Sequence, residues 1–381
     1  MGNFPEAGAV ARIRLFASSN AWIEGAATRQ LDQLAGRPDM LAVAGMPDLH
    51  PGHHAPVGSA ALARGRVFPD VIGTDIGCGM QFWSLDLPER RLKLDKAVER
   101  MAVLEGAWEG NAAALLDEHG LPLDFAASLG TVGGGNHFCE LQAVEEIFDP
   151  ATAAQAGVVA GGLSLLVHSG SRGLGPAVLA HHHVDGTGGL PLEGAGMDYL
   201  ADHDLALRFA RLNRQVIAGR ALQALRTEGE ERIDNPHNLA ERQGDLVLHR
   251  KGAAPSDRGL VPIPGSRGSV TYLVEPLPAP PDALASLAHG AGRKHDRASM
   301  LGGKRQVASN LDRLTRNPYG GHVICTDRQL LLEEAPEAYK DVTKVVADLE
   351  AEGLVRVVAI LRPVLTFKTA RMKREQGRVK R

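Results

Sequence analysis

Six short blocks interleave glycine with histidine, aspartate, asparagine, cysteine and arginine, and they constrain this chain more than any other feature. They are Met46 to His54, Gly73 to Met80, Gly133 to Glu140, Val167 to Gly173, Asn235 to Asn238 with the polar run His249 to Ala253, and Ala288 to Arg293. Glycine tolerates left-handed backbone and close approach, so such blocks read as loops shaped around something. Loops carrying polar chemistry on a rigid scaffold are where function concentrates. The totals agree: 44 glycines and 15 histidines stand against 9 Phe, 4 Tyr and 3 Trp.

Between the blocks lie ordinary apolar segments. Helical spacing predicts helices at Ala26 to Ala35, Asp95 to Val103, Gly110 to Glu118, Tyr199 to Thr227 and Asp341 to Glu352. Short apolar runs predict strands at Leu41 to Ala44, Gln81 to Leu85, Leu163 to Val167, Asp245 to Leu248, Ser269 to Val274 and Val355 to Leu361. Several of these run straight into a glycine block. There is no fixed-period repeat, and the elements do not alternate regularly. The expected fold class is therefore α+β, with mostly antiparallel central sheets flanked by helices and a metal pocket built from glycine-rich loops. Residues 1–370 are expected to form one catalytic domain, and 371–381, with six basic residues against one acid, a solvated basic tail. The proline-rich run Glu275 to Pro281 reads as a rigid surface connection.

At 381 residues, 44% hydrophobic and 23% charged, the chain can bury a large core. Its net charge of −3 gives no global attraction to nucleic acid, so any nucleic-acid footprint must be local. Cys78, Cys139 and Cys325 are odd in number and far apart, which argues against a disulfide framework and for a reducing compartment. The first sixteen residues lack the apolar run of a secretory signal, and Pro150 to Val167, the longest stretch free of charge and histidine, is too short and polar for a bilayer span. A cytoplasmic protein is expected.

One aspartate, one cysteine and three loop-borne histidines form a ligand set for borderline divalent metals such as Zn, Fe, Mn or Co, and a thiolate can bridge two of them. Ligands scattered along the chain suit a catalytic site better than a zinc knuckle. Backbone N–H groups in Gly133 to Gly135, Gly170 to Gly175 and Gly290 to Gly292 could cradle phosphate. No Walker loop, dinucleotide fingerprint or Lys-x-Asp-Gly nucleophile is present, which leaves histidine as the available nucleophile for covalent nucleotide chemistry.

The motifs Met-Pro-Asp-Leu-His at 46–50, Asp-Ile-Gly-Cys-Gly at 75–79, Gly-Gly-Gly-Asn-His-Phe at 133–138, His-Ser-Gly-Ser-Arg-Gly at 168–173, His-Arg-Lys-Gly-Ala at 249–253 and His-Gly-Ala-Gly-Arg at 289–293 resemble those of the RtcB RNA ligases. Pro264-Gly265-Ser266 and the run from Glu334 to Asp341 do so too. The resemblance implies joining of an RNA 3′-phosphate or 2′,3′-cyclic phosphate to a 5′-hydroxyl through a His–GMP intermediate made from GTP, in RNA repair or tRNA splicing. It further implies two Mn2+ ions held by Asp75, Cys78, His137, His168 and His237, with Cys78 bridging, and His289 as nucleophile. Asn136, Glu140, Ser266, His289, Gly290, Ala291, Gly292, Arg293, Tyr339 and Lys368 would bind the nucleotide, and Arg172, Arg250 and Lys251 the RNA. The partners implied are GTP and RNA with those ends; a protein activator is not inferable.

The sequence departs from the family pattern at Arg267, where methionine is usual, at His53-His54, and in continuing past Lys368; it is also shorter than many members, resembling a compact branch. Arg267 would alter nucleotide specificity or add a phosphate contact. His181-His182-His183 is expected to be an exposed loop, and Cys139 and Cys325 inert packing residues. The alternatives to ligation are a metal-dependent cyclic-phosphate hydrolase or phosphodiesterase, and a non-catalytic metal-stabilised RNA-binding protein.

Overall fold

A computed structural model describes residues 11–184, 186–302 and 314–369, and the basic tail lies outside them. The strands are β1 (Arg12–Leu15), β2 (Met40–His50), β3 (Val57–Arg64), β4 (Arg66–Val67), β5 (Gly79–Pro88), β6 (Phe138–Ile147), β7 (Gly162–Ser169), β8 (Leu190–Pro191) and β9 (Gly229–Pro236). They continue with β10 (Asn238–Gln243), β11 (Leu246–Lys251), β12 (Ala253–Pro255), β13 (Val261–Pro264), β14 (Thr271–Pro276), β15 (Ser286–Ala288), β16 (His322–Ile324) and β17 (Val355–Phe367). The helices are α1 (Gly25–Ala35), α2 (Pro69–Ile72), α3 (Leu94–Met101), α4 (Ala112–Glu118), α5 (Pro150–Gln155), α6 (Leu174–His181), α7 (Met197–Leu225), α8 (Arg297–Gly302), α9 (Arg328–Glu333) and α10 (Val342–Ala351).

An eight-stranded sheet runs β13-β14-β17-β6-β7-β5-β9, with β16 also beside β17. Its pairings are antiparallel except β16 with β17. Both faces are buried, which explains why its strands read as continuous apolar runs rather than alternating ones. Leu163, Leu165 and Val167 of β7 face Ile217, Ala218 and Ala221 of α7. Leu166 turns the other way, towards Phe82 and the α5 residue Ala153. A second, five-stranded sheet runs β1-β2-β3-β11-β10. Leu31 and Leu34 of α1 cover one face of it, while Ile263, Tyr272 and the α10 residues Val345 and Leu349 cover the other. That shared cluster packs the two sheets together. The expected α+β class with antiparallel sheets and flanking helices holds.

Each predicted helix and strand overlaps an observed one, but the blocks are not simply loops. Met46 to His50 closes β2, Phe138 to Glu140 opens β6, and His168 and Ser169 end β7. The pairing of β2 with β3 slips between Gly45 and His50, so a bulge lets a strand carry polar residues inward.

The helix α7 bears the polar pair Asn213 and Arg214 in its buried middle, 0% and 1% exposed. Asn213 accepts from Gly130 N–H and donates to Thr131, Ser169 and Gly170. Arg214 donates to the carbonyls of Gly77 and Ser169 and pairs with Asp234 at 2.8 Å. Two glycine blocks, and the Gly130-Thr131 segment just ahead of a third, are thereby fastened to one helix. Replacement of Arg214 by Met should strand two buried carbonyls and the Asp234 carboxylate, costing about 3–5 kcal/mol. Denaturant unfolding should read this as a lowered midpoint; an unchanged midpoint would show that the blocks hold without it.

Candidate active site

Strand register gathers the polar blocks at one end of the eight-stranded sheet. Gly79 pairs with both Ser169 and Pro236, and Phe138 pairs with His168. The flanking residues Cys78, His237 and His137 therefore arrive beside His168. Cys78 Sγ lies 3.0 Å from His168 Nε2 and 3.3 Å from His137 Nε2. His168 Nε2 is 3.3 Å from His237 Nε2, and His137 Nε2 is 3.1 Å from Asp75 Oδ2. All five predicted ligands thus form two overlapping triads that share Cys78, Asp75-Cys78-His137 and Cys78-His168-His237. Gly170 has no substitute here, because a Cβ would strike the Asp75 carboxylate.

The electrostatics suit cations. Burial lowers the pKa of His168 and His237, keeping both imidazoles neutral with lone pairs to give. Burial would raise Asp75, but His137 and the Cys78 hydrogen bond outweigh it and hold the carboxylate ionised. Burial, followed by the Asp75 charge, raises the Cys78 thiol. A divalent cation resolves this crowding, since it draws the proton from the thiol and accepts from imidazole and carboxylate at once. The residues present fit such ions.

Beside the triads opens a pocket of about 320 Å3, within the range that holds small-molecule ligands. Asn136, Glu140, Ser266, His289 to Arg293, Tyr339, Lys368 and Lys251 all line it. Lys368 lines the pocket although the chain continues beyond it: it is 4% exposed, with Nζ 3.0 Å from the His137 carbonyl. Glu140 accepts from Gln142 at 2.9 Å and Thr366 at 2.6 Å, and burial pushes its carboxyl up to about 6. Glu334, 2% exposed, gathers Arg293 at 3.0 Å, Arg297 at 3.4 Å and the Tyr339 hydroxyl. The Arg293 guanidinium lies 5.2 Å from the Tyr339 ring centroid, a cation–π arrangement.

His289 joins the two regions. Its ring is 4.6 Å from that of His237, and its Nδ1 lies 2.7 Å from Oδ2 of the fully buried Asp48. Gly292, at φ +70°, lets the loop pass against the Asp48 carbonyl, where a Cβ would collide. His50 stands nearby, its Nδ1 2.9 Å from the Asp48 carbonyl and its pKa lowered by burial to about 4, so it is neutral near pH 7.

Several expectations need correction. Arg250 is 1% exposed, and its guanidinium is consumed by Glu241, Ser286 and the Ala285 carbonyl, leaving no face for RNA phosphate. Arg267 donates to the carbonyls of Leu331 and Glu334 at the end of α9, where a cation complements the helix dipole. It therefore holds the segment bearing Glu334, and that nitrogen is not free for phosphate. His182 is no exposed loop residue, since it packs against α7 with its Nε2 2.7 Å from Asp202. Arg172 does reach the candidate ligand cluster, with Nη1 3.4 Å from His137 Nδ1, and Lys251 donates to the Ile72 carbonyl at 2.6 Å. Cys139 is fully buried in the core and Cys325 packs beside Val323 and Leu331.

Sequence reading missed Asp48, His50, Glu334 and Arg297 as site members. A signal existed for Asp48: it is an acid in a strand whose residues are otherwise apolar and buried through Leu49. A two-sheet core that brings a cluster able to hold metal ions, with Cys78 common to both of its triads, against an adjoining pocket defines the class of protein.

The family profile described as tRNA-splicing ligase RtcB matches residues 30–107, 105–187 and 190–369, and the chain belongs to the RtcB family. It is 46% identical to the RNA-splicing ligase RtcB2 of Escherichia coli, over 93% of this chain and 95% of that one. It is 28% identical to RtcB1 of the same strain, over 91% and 95%, and 30% identical to the RNA-splicing ligase RtcB of Mycobacterium tuberculosis, over 84% and 95%. Among the described residues, no helix is long and apolar enough to cross a membrane.

Cys78→Ala removes the ligand common to both triads. Bound divalent metal should fall from two ions per chain to at most one, as read by equilibrium dialysis and elemental analysis. Two ions retained would remove Cys78 as the shared ligand.

Proposed function

We propose that this chain is a GTP-dependent RNA ligase that joins a 3′-phosphate or 2′,3′-cyclic phosphate end to a 5′-hydroxyl end. The observation that carries the reading is His289, whose backbone N–H donates to Asp48, whose Nδ1 lies 2.7 Å from the same carboxylate, and whose ring is set between the candidate ligand cluster and the pocket. Relatives named as RNA-splicing ligases support it.

The Asp48 carboxylate, 2.7 Å from Nδ1, would favour a proton on that nitrogen and leave the lone pair of His289 at Nε2, the tautomer a nucleophile requires. Nε2 attacks the α-phosphorus of GTP; the new N–P bond forms as the bond to pyrophosphate breaks, leaving GMP on His289. An oxygen of the RNA 3′-phosphate then takes the guanylyl group and frees His289. The 5′-hydroxyl attacks the activated phosphorus, and GMP departs. A cyclic phosphate must first be opened by water to a 3′-phosphate. Two Mn2+ ions, held by Asp75 and His137 on one side of Cys78 and by His168 and His237 on the other, would neutralise the triphosphate and activate water. Asn136, Gly290 and Gly292 would contact phosphate, and Glu140, Ser266, Tyr339 and Lys368 the nucleoside; all of them line the pocket. Arg172 and Lys251 are the candidates for the RNA phosphates.

Pocket residues come from both sheets, which supports reading 1–370 as one catalytic unit. Three free cysteines, one of them a shared ligand, accord with a reducing cytoplasm.

Incubation with α-labelled GTP and Mn2+ should give acid-labile, alkali-stable label on His289, and His289→Ala should carry none. Asp48→Asn should slow labelling about 10²-fold through a misplaced ring. Label absent from the wild-type chain under any metal would overturn the reading in favour of hydrolysis or binding alone.

A pH test addresses Glu140. Its pKa is raised to about 6, so the ionised form that accepts guanine N–H groups dominates above that value and is lost below it. Guanosine, which has no phosphate to titrate, should bind about tenfold more weakly for each pH unit below 6, and Glu140→Gln should flatten the profile. A flat wild-type profile would separate Glu140 from the base.

A further inference from the structure

We propose that the junction of α6 and α7 is a second metal site, distinct from the active centre, in which His181, His182 and Asp202 hold one Zn2+ and clip the two helices together. Consecutive residues on a continuing helix point about 100° apart and do not share an ion. Here the helix stops between them. His181 is the last residue of α6, and His182 leaves the helix at φ −103°, ψ 29°. That turn brings the two rings to 4.6 Å, edge to face, with His182 Nε2 2.7 Å from Asp202 Oδ2. The donor atoms of all three residues lie within 4.8 Å of one another.

Three further features favour an ion over a plain histidine–aspartate pair. The Tyr199 ring, 5.5 Å from His182, fixes that imidazole in place, so little order remains to be imposed on binding. The C-terminal end of α6 carries the negative pole of its dipole, which favours a cation at His181. A cleft of about 190 Å3, with His181 and Asp202 in its wall beside Pro122 and Leu205, gives an ion a path in and room for water to complete its shell. Two imidazoles and one carboxylate form a three-ligand set that suits Zn2+. The clip would bear on the catalytic layer, because α6 begins just after the turn that carries Arg172, and α7 holds the glycine blocks through Asn213 and Arg214.

The test uses the full chain, stripped of metal and titrated with Zn2+ by calorimetry. His181 is exposed and sets its ring against that of His182, so His181→Ala should leave the fold intact. The expectation is one Zn2+ per chain more than the active centre takes. His181→Ala should weaken that ion about tenfold or more, and Asp202→Asn should do the same, with His289 guanylylation under Mn2+ unchanged in both. Zn2+ should also raise the melting temperature of Cys78→Ala, and raise it less once His181→Ala is added. Equal Zn2+ stoichiometry and affinity in the wild type and His181→Ala, or a Cys78→Ala chain whose melting temperature ignores Zn2+, would overturn the site.

Discussion

The polar pair Asn213 and Arg214, buried in the middle of α7, is what the catalytic end of this protein depends on. Glycine-rich segments have high backbone freedom and bury little of their own surface, so they do not settle into one shape unaided. Here the carbonyls of Gly77, Thr131, Ser169 and Gly170 each receive a hydrogen bond from one of two adjacent side chains. Those carbonyls sit beside Cys78, His137 and His168. Because the same helix packs its apolar residues on β6 and β7, core burial and loop geometry are set by one rigid element. The arrangement is demanding, since a buried guanidinium is tolerable only when its donors are matched, as they are by two carbonyls and Asp234.

A second dependence runs between the sheets. Asp48 belongs to a strand of the five-stranded sheet, the ligand cluster to the end of the eight-stranded sheet, and His289 follows a short strand paired with β12. The 2.7 Å approach of Asp48 to His289 and the 4.6 Å approach of His237 to the same ring therefore report how the two sheets are packed. The cluster uniting Met46, Ile263, Ala288 and Val345 maintains that packing. Glu334 plays the corresponding part on the opposite wall, where Arg267 anchors the chain that bears it and Arg293, Arg297 and Tyr339 converge on its carboxylate.

Much of this was legible in the residues. The fold class followed from the order and length of the apolar runs, and the residue types on the glycine-rich turns pointed to a metal set of one acid, one cysteine and three histidines, while the resemblance to the RtcB ligases said which five. Arg250 shows where such reading fails. It stands in a conspicuous His-Arg-Lys-Gly-Ala run beside Lys251, yet strand alternation sends adjacent side chains to opposite faces, and only Lys251 reaches the pocket. His182 failed in the other direction: a histidine triplet looks solvated until the helix end and Asp202, twenty residues on, are seen to enclose it. Arg267 could be read as a charge beside the nucleotide, but not as a cap on a helix whose carbonyls lie more than sixty residues away.

By itself the sequence determined what is encoded locally: periodicity for helices and strands, glycine where the backbone must turn or pass closely, and the residue types able to bind a metal or act as a nucleophile. Tertiary structure alone decided which of these groups meet. The antiparallel register put His137, His168 and His237 around Cys78, and the packing of two sheets set Asp48 against His289. The physical reason is range. Propensity and side-chain chemistry act within a few residues, whereas hydrogen bonding, burial and charge pairing act between surfaces whose contact depends on the whole core being closed.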